Sequence, residues 1–498
     1  MAALSALLAV CAPARAAELT VAKSGGQYTS IQAALDAAQP GDTVTVRAGT
    51  YAERLTVAAG GSAAGGYLTV RAFPGETVCI SGKNQHSAAS PHLVYLSDVS
   101  YFRLIGFDIC SNVGNNADGG SGVFVEGSGE QIEISSNRMY WLRGTHAMGI
   151  TIYGTRSATP LAHLTITDNE IRDCEPAQSE ALTLNGNVTD FSVAGNYVHD
   201  VNNIGIDFIG GEAGLPGGAR NGVCRGNTVL RARSSYGDGY GAGIYVDGGR
   251  NIVVERNCVA SCDVGLEVGA ENPGWLATNI TVRSNILCLN DKIGIGFGGY
   301  DVGRGRVIWC QFLNNTLYRN NELSLGSADF HGEIVVQYAA SNQFRNNLVY
   351  VSERGDKAAV RDENLAGNTG NAFDYNLYYC DTAGAVFRWK GVDYSSFTAY
   401  TNAAGAGDRA ARFGNPLFEN SAGTNLHLTV SSPAIDAGDP AYAPDAAVLD
   451  FDGRTRVVNS RVDAGAYESV PEPGWLGSAL AALVARGAQR GARGRRQR

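Results

Sequence analysis

Short apolar strands with one signature recur along this chain. Glycine precedes an apolar residue, a variable residue and a second apolar residue at Gly122-Val123-Phe124-Val125, Gly149-Ile150-Thr151-Ile152, Gly205-Ile206-Asp207-Phe208, Gly243-Ile244-Tyr245-Val246, Gly265-Leu266-Glu267-Val268 and Gly294-Ile295-Gly296-Phe297. Ala181-Leu182-Thr183-Leu184 is the same unit with alanine in first place. Period-two alternation sends every second side chain inward. A second row consists of asparagines followed by apolar residues: Asn137, Asn169, Asn196, Asn227, Asn257, Asn285, Asn315 and Asn347, spaced by 32, 27, 31, 30, 28, 30 and 32. That spacing suits one coil of a parallel β-helix, with Val, Ile, Leu and Phe stacking at about 4.8 Å per rung. The asparagines are expected at one corner, accepting left-handed backbone and hydrogen-bonding along the stack.

The open N-terminal end of such a stack needs a cover. Thr29 can cap a helix over Ser30–Ala38, whose Ile31, Ala34, Leu35 and Ala38 share one face; Pro40-Gly41 stops it, and Thr43-Val44-Thr45-Val46 begins a strand. The run from Tyr28 to Leu35, then Gly41-Asp42-Thr43-Val44 and Gly49-Thr50-Tyr51, resembles the N-terminal cap of the pectate-lyase-like β-helix superfamily. Near the other end, Asn415-Pro416-Leu417-Phe418, Ser432-Pro433-Ala434-Ile435-Asp436-Ala437-Gly438, Asp452-Gly453-Arg454 and Asp463-Ala464-Gly465-Ala466-Tyr467-Glu468 resemble a module that closes many secreted bacterial β-helix proteins. The expected architecture is an all-β, right-handed parallel β-helix over residues 17–410, with an N-terminal capping helix and a small C-terminal cap module over 411–469.

Both termini carry address signals. Residues 1–16 are small and apolar and end in Ala14-Arg15-Ala16, as a signal peptide does, though without a basic start. Val470-Pro471-Glu472-Pro473, an apolar stretch to Ala485 and six arginines between Arg486 and Arg498 resemble a PEP-CTERM sorting signal over 470–498. That resemblance implies export to the cell surface or medium in an exopolysaccharide-making bacterium, with transient anchoring at the inner membrane.

Composition narrows the class. The chain has 64 glycines among 498 residues and only 17% charged residues, which fits a turn-rich β protein. Without Arg15 and the six C-terminal arginines, 32 basic residues face 48 acidic ones. An acidic body argues against nucleic acid as partner. It accommodates neutral sugars or cations, whereas an anionic substrate needs a basic patch or a bridging metal. Ten cysteines without CxxC spacing argue against zinc and for buried thiols, Cys258 and Cys262 being nearest in sequence. A monomer is expected.

The variable positions of the strands are the candidate chemistry. The first row reads Phe124, Thr151, Thr183, Asp207, Tyr245, Glu267, Gly296 and Ser324; the second reads Glu126, Tyr153, Asn185, Ile209, Asp247, Gly269, Gly298 and Gly326. Both are expected to face solvent. Asp207 and Glu267 fall two rungs apart, roughly 9 to 10 Å, with Tyr245 between them. Asp207, Tyr245, Asp247, Glu267 and Lys292 are the candidate catalytic residues, and Asp247 with Glu267 the candidate Ca²⁺ ligands. Arg220, Arg250 and His199 are further candidates for a base or a charge neutraliser, and Tyr153 and Tyr245 for sugar platforms. The glycine-rich turns Gly210-Gly211-Glu212-Ala213, Gly269-Ala270-Glu271-Asn272 and Gly298-Gly299-Tyr300-Asp301 are expected to edge the same face.

Two carboxylates suit inverting glycoside hydrolysis at about 6.5 to 9.5 Å separation. With Ca²⁺ to neutralise a uronate, they suit β-elimination by a lyase. The superfamily resemblance implies lyases, hydrolases or epimerases. The paired aspartates and Gly-His-Gly of polygalacturonases are missing, and no pectate-lyase arginine signature maps here. The leading expectation is an extracellular polysaccharide-processing protein, a lyase on an acidic glycan. The alternatives are a non-catalytic glycan-binding or matrix protein, and a hydrolase or epimerase.

Overall fold

The computed structural model describes residues 16–83, 91–113, 120–323, 330–354, 357–382, 384–403, 408–458 and 461–469. Most of the expected signal peptide, the segment expected to be a sorting signal, Ser324 and Gly326 lie outside the described residues. Within them the chain is a parallel β-helix. Three long parallel sheets run its length, two of 13 strands and one of 16.

Each coil visits the sheets in the same order, as one coil illustrates. Strand Ile204–Ile209 lies in the sheet that carries the glycine-led repeat, here sheet I. Arg220–Arg225 follows in sheet II, and Thr228–Ala232, after the Asn227 corner, in sheet III. Inward positions such as Ile206, Phe208, Cys224 and Val229 are fully buried. Identical positions on adjacent rungs stack: Phe312, Phe344 and Phe373 of sheet II have ring centroids 6.0 and 5.2 Å apart. Stacked aromatic pairs add about 0.5–1.5 kcal/mol each to the burial of their area.

The asparagine corner forms as a continuous ladder. Asn227 illustrates it: backbone N–H and Nδ2 both donate to Asn257 Oδ1 at 2.9 Å, and Nδ2 also donates to the Val193 carbonyl at 3.0 Å. The row extends one rung beyond Asn347, to Asn376. Left-handed backbone falls on the preceding residue instead, as at Ser136, Asp168, Gly195, Gly226, Arg256 and Ser284. The asparagine amide is thereby turned into the stack, where it satisfies backbone groups that no sheet partner reaches.

The N-terminal helix is Ile31–Ala37, and Ser30 rather than Thr29 caps it. Ser30 Oγ accepts from Ala33 N at 3.3 Å, while Glu53 accepts from the Ile31 and Gln32 amides, so the exposed donors of the first turn are covered. Ile31, Ala34 and Leu35 join the core. A strand precedes the helix, Glu18–Val21, paired with Thr43–Val46.

At the far end a short antiparallel pair and a helix precede the C-terminal segment. Strands Val386–Trp389 and Val392–Tyr394 pair antiparallel, and helix Phe397–Thr401 follows them. The ring of Tyr400 stacks on Phe387 at 4.6 Å. Segment 411–469 packs along the outer face of sheet III: Leu426, Ala434, Ala464 and Tyr467 cover Leu230, Ile286, Cys288 and Tyr318. Outward apolar side chains on those rungs make that face a second core. Arg456, paired with Glu468 at 3.2 Å, holds the segment's own fold. The nine described cysteines are free thiols. Thiols meet across neighbouring rungs of sheet III at Cys79–Cys110, 3.0 Å apart, and at Cys258–Cys288.

Candidate functional site

Register on sheet I brings the expected row together. Thr183 pairs with Asp207, Asp207 with Tyr245, Tyr245 with Glu267, and Glu267 with Gly296. Val335 takes the next rung, the place assigned to Ser324 from sequence, and Gln337 stands in the second row in place of Gly326.

The row does not face open solvent. The connections between sheets III and I, and those after sheet I, rise over it, leaving Asp207 2% exposed and Tyr245 3% exposed. A cleft of about 470 Å³ remains over the rungs of Tyr245, Glu267 and Ile293. Tyr236 and Tyr240 form one wall, Glu271 and Tyr300 the other, and Phe330 and Gln337 close the far end. On the rung beyond Glu267, the missing side chain of Gly296 keeps the floor low: a Cβ there would stand 3.9 Å from Glu267 Cγ.

Tyr245 and Glu267 line the cleft; the other three expected residues do not. Asp207 is buried one rung before Tyr245 in the same row, its Oδ1 drawn to the amides of Phe208 at 2.6 Å and Asp247 at 3.4 Å. Asp247 is likewise covered, and its Oδ1 accepts from the Glu271 amide at 2.6 Å. Lys292 supports a wall: Nζ donates to the Asp238 carbonyl and sits 3.8 Å from the centre of the Tyr240 ring. Asp263 braces the same loop, accepting from Ser234 N at 2.7 Å and Gly241 N at 3.0 Å.

The remaining candidates go elsewhere. His199 belongs to sheet III, bonded to Asp200 at 2.7 Å. Arg220 and Arg250 start strands of sheet II; Arg220 donates to the Gly218 carbonyl at 3.2 Å, and the Arg250 guanidinium lies 4.2 Å over Trp275. Tyr153 packs edge-on to Phe124 at 5.4 Å. Of the three glycine-rich turns, those of Glu271 and Tyr300 edge the cleft as expected, whereas Gly210-Gly211, with Gly248 on the next rung, has another purpose. A Cβ on Gly210, Gly211 or Gly248 would stand 2.4 to 2.6 Å from the Trp275 indole, whose Nε1 donates to the Gly248 carbonyl at 2.7 Å. These glycines make room for one tryptophan.

The electrostatics follow from burying like charges together. Burial, then Glu271 and Asp247, push Glu267 up to about 8. Burial and Glu271 push Asp247 to about 8, and burial and Glu212 push Glu180 to about 8. Glu271 is also raised by burial, but the Tyr245 hydroxyl, 3.4 Å away, and the charge of Arg304 pull it back. Tyr245 itself is raised well above the usual tyrosine range by burial and by four acids, so its hydroxyl keeps its proton and donates. Two carboxyl groups in one cleft with different neighbours can serve as acid and base. Among the described residues, no three His, Cys, Asp or Glu side chains converge as a metal site.

Tyr236, Tyr240 and Gln337 escape the row reading because they lie on connections or outside the repeat, whereas Glu271 and Tyr300 lie on turns expected to edge this face. One signal was present. The glycine-led strands are 38 residues apart from Gly205 to Gly243 but 22 apart from Gly243 to Gly265, which marks a long, tyrosine-bearing connection over one coil.

The profile of the family described as "Right handed beta helix region" matches residues 92–301. The chain is 33% identical over 419 residues to the uncharacterized protein YwoF of Bacillus subtilis (strain 168), covering 82% of this chain and 88% of the relative. Among solved structures it is similar to an alginate lyase from Paenibacillus sp. str. FPU-7, at 13% identity and TM-score 0.48, covering 65% of this chain and 99% of that one. It is also similar to pectate lyase Pel9A, at 15% identity and TM-score 0.43, covering 91% and 96%.

Proposed function

Since the chain belongs to one family with YwoF of Bacillus subtilis and carries the right-handed β-helix match over residues 92–301, we propose that it is an exported glycan-processing protein that cleaves glycosidic bonds in the cleft over sheet I. The observation that carries this reading is the pairing of Glu267 and Glu271 in one tyrosine-walled cleft. Glu267, held up to about 8, carries a proton at neutral pH and is the general acid for the leaving oxygen. Glu271, raised by burial but drawn back by the Tyr245 hydroxyl and the charge of Arg304, is the base or nucleophile. Tyr236, Tyr240 and Tyr300 supply flat apolar faces for sugar rings.

This reading moves the preference from elimination to hydrolysis. The residues lining the cleft include two glutamates and one aspartate but no Lys or Arg. A uronate polymer entering it is repelled unless a proton or a cation intervenes. One observation favours the lyase reading: a protonated Glu267 can donate to a uronate carboxylate and neutralise it without metal.

A panel of neutral and uronic-acid glycans, each with calcium or chelator, separates these readings. New reducing ends without ultraviolet absorbance from unsaturated sugar, abolished in Glu267→Gln, are the expected result. Unsaturated products identify the lyase instead. Glycan binding without turnover on any member of the panel overturns the enzymatic reading in favour of a binder.

A further inference from the structure

The two thiol pairs of sheet III differ in access. Cys258 and Cys288 are each 1% exposed and lie on rungs covered by segment 411–469, where Ala260, Cys288 and Tyr467 belong to one apolar cluster. Cys79 and Cys110 lie on earlier rungs, with their sulfurs 3.0 Å apart. Both side chains project from the outer face, since Ile80 and Ile109, which pair with each other, point inward. Cys79 is partly exposed, so a solute can reach the pair.

The surroundings favour a thiolate. The Ser111 hydroxyl donates to Cys110 Sγ at 3.7 Å, and Tyr140 stands opposite Cys110 on the next rung. Donation from the Cys79 thiol, then from Ser111 and Tyr140, pulls the Cys110 thiol below its ordinary value against the opposing effect of burial. Asp108, whose charge disfavours a thiolate, is held by the Arg138 guanidinium at 2.6 and 3.0 Å. A thiolate within reach of a second, more accessible thiol is equipped for disulfide exchange.

We propose that Cys79 and Cys110 are an oxidisable pair that closes one coil of the solenoid into a covalent ring. From Cys79 the chain passes through Val94–Ser97 of sheet I and Phe102–Ile105 of sheet II, and returns to sheet III at Asp108–Val113. The bond therefore joins the beginning of a single turn to its end. The oxidant is a small or protein-borne disulfide, as met in an oxidising compartment. The Cys79 sulfur attacks one sulfur of the oxidant, whose S–S bond breaks; one thiol leaves and a mixed disulfide remains. Cys110 then attacks Cys79 Sγ, the Sγ–Sγ bond forms and the second thiol leaves. Two protein thiols are oxidised, one disulfide is reduced, and both protons end on the released thiols.

Register makes the ring reversible. Cys79 pairs with Asp108 and Ser81 with Cys110, so the two cysteines are offset by two residues rather than directly opposite. Bridging at that offset draws the strands together, and the bond reopens in a reducing milieu. A solenoid is held by contacts between neighbouring coils and opens from its ends. In sheet II only Glu18–Val21, Thr43–Val46 and Leu68–Ala72 precede this coil. A ring at the fourth rung stops such opening before it reaches the coils that carry the cleft. The proposal rests neither on the glycan reading nor on export.

The test takes the full chain, reduced and then equilibrated with glutathione and glutathione disulfide at graded ratios. Alkylation under denaturing conditions, digestion and mass spectrometry map the bonds, with thermal melting and hydrogen exchange run alongside. A Cys79–Cys110 linked peptide is expected as the ratio becomes oxidising, and it disappears on return to dithiothreitol. Oxidation raises the melting temperature by about 3–5 °C and slows exchange of Phe102–Ile105 at least tenfold. Cys79→Ser and Cys110→Ser abolish both responses, whereas Cys258→Ser keeps them. Cys79 is the more exposed of the two, so Cys79→Ser carries the test if Cys110→Ser fails to fold. The proposal is overturned if no bridge forms at any ratio, if the bond maps to Cys258–Cys288 or another pair, or if Cys79 stops at a mixed disulfide with glutathione. A Cys79–Cys110 bond that leaves melting and exchange unchanged overturns it as well.

Discussion

Glutamine in place of Glu267 should make the protein inactive and, at high pH, more stable. Burial, Glu271 and Asp247 hold this carboxyl at about 8, against about 4.3 for glutamate in an unfolded chain. A folded value above the unfolded one means that the native state binds the proton more tightly. The resulting stability is therefore fully present below about pH 4 and is lost as pH rises through about 8. At about 1.36 kcal/mol per pH unit, that interval is worth on the order of 4–5 kcal/mol. Contact of Glu267 with cleft water reduces this to about 2–4 kcal/mol. Glutamine keeps the shape and cannot ionise. Urea unfolding of both proteins in chelator at pH 5 and pH 9 measures the difference. Wild type should lose about 2–4 kcal/mol more than the variant between the two conditions. Turnover should fall about 10²–10⁴-fold in the variant, and in wild type it should decline as pH passes 8 and the acid is lost. Parallel loss of stability in the two proteins would refute the assignment of a buried, proton-holding Glu267.

Asn257→Ala removes the donations to the Cys224 carbonyl and Asn285 Oδ1 and orphans the Asn227 amide; urea unfolding should show a loss of about 2–5 kcal/mol. Arg456→Met leaves Glu468 buried and unpaired, so the segment along sheet III should be destabilised by about 3–5 kcal/mol and released early in limited proteolysis. Gly269→Ala places a Cβ 2.6 Å from the Tyr245 hydroxyl. The ring must swing away from Glu271, and kcat/KM should fall roughly tenfold with stability within about 1 kcal/mol of wild type.

The coil period, the asparagine corner and the order Asp207, Tyr245, Glu267 along sheet I are legible in the amino-acid sequence. A β-helix repeats its inward pattern on every rung, so a misplaced strand exposes a whole row of Val, Ile and Phe, and register is strongly constrained. That constraint lapses where the repeat lapses. After Gly296 the next glycine-led strand is absent, and Val335 rather than Ser324 occupies the row. The C-terminal motifs are visible as a module, but the face they cover depends on the outward apolar side chains of sheet III, which no motif encodes.

The sequence alone determined the solenoid, its rungs and its acidic, tyrosine-bearing face, because those follow from a period that every coil must obey. Only the tertiary structure decided which members of the face do chemistry. Tyr236 and Tyr240 reach Glu267 and Glu271 through a connection from another sheet. Asp207 and Asp247 are buried instead, Asp247 against the turn that carries Glu271. Loops carry no period, and the proton affinity of a carboxyl depends on neighbours brought from other coils.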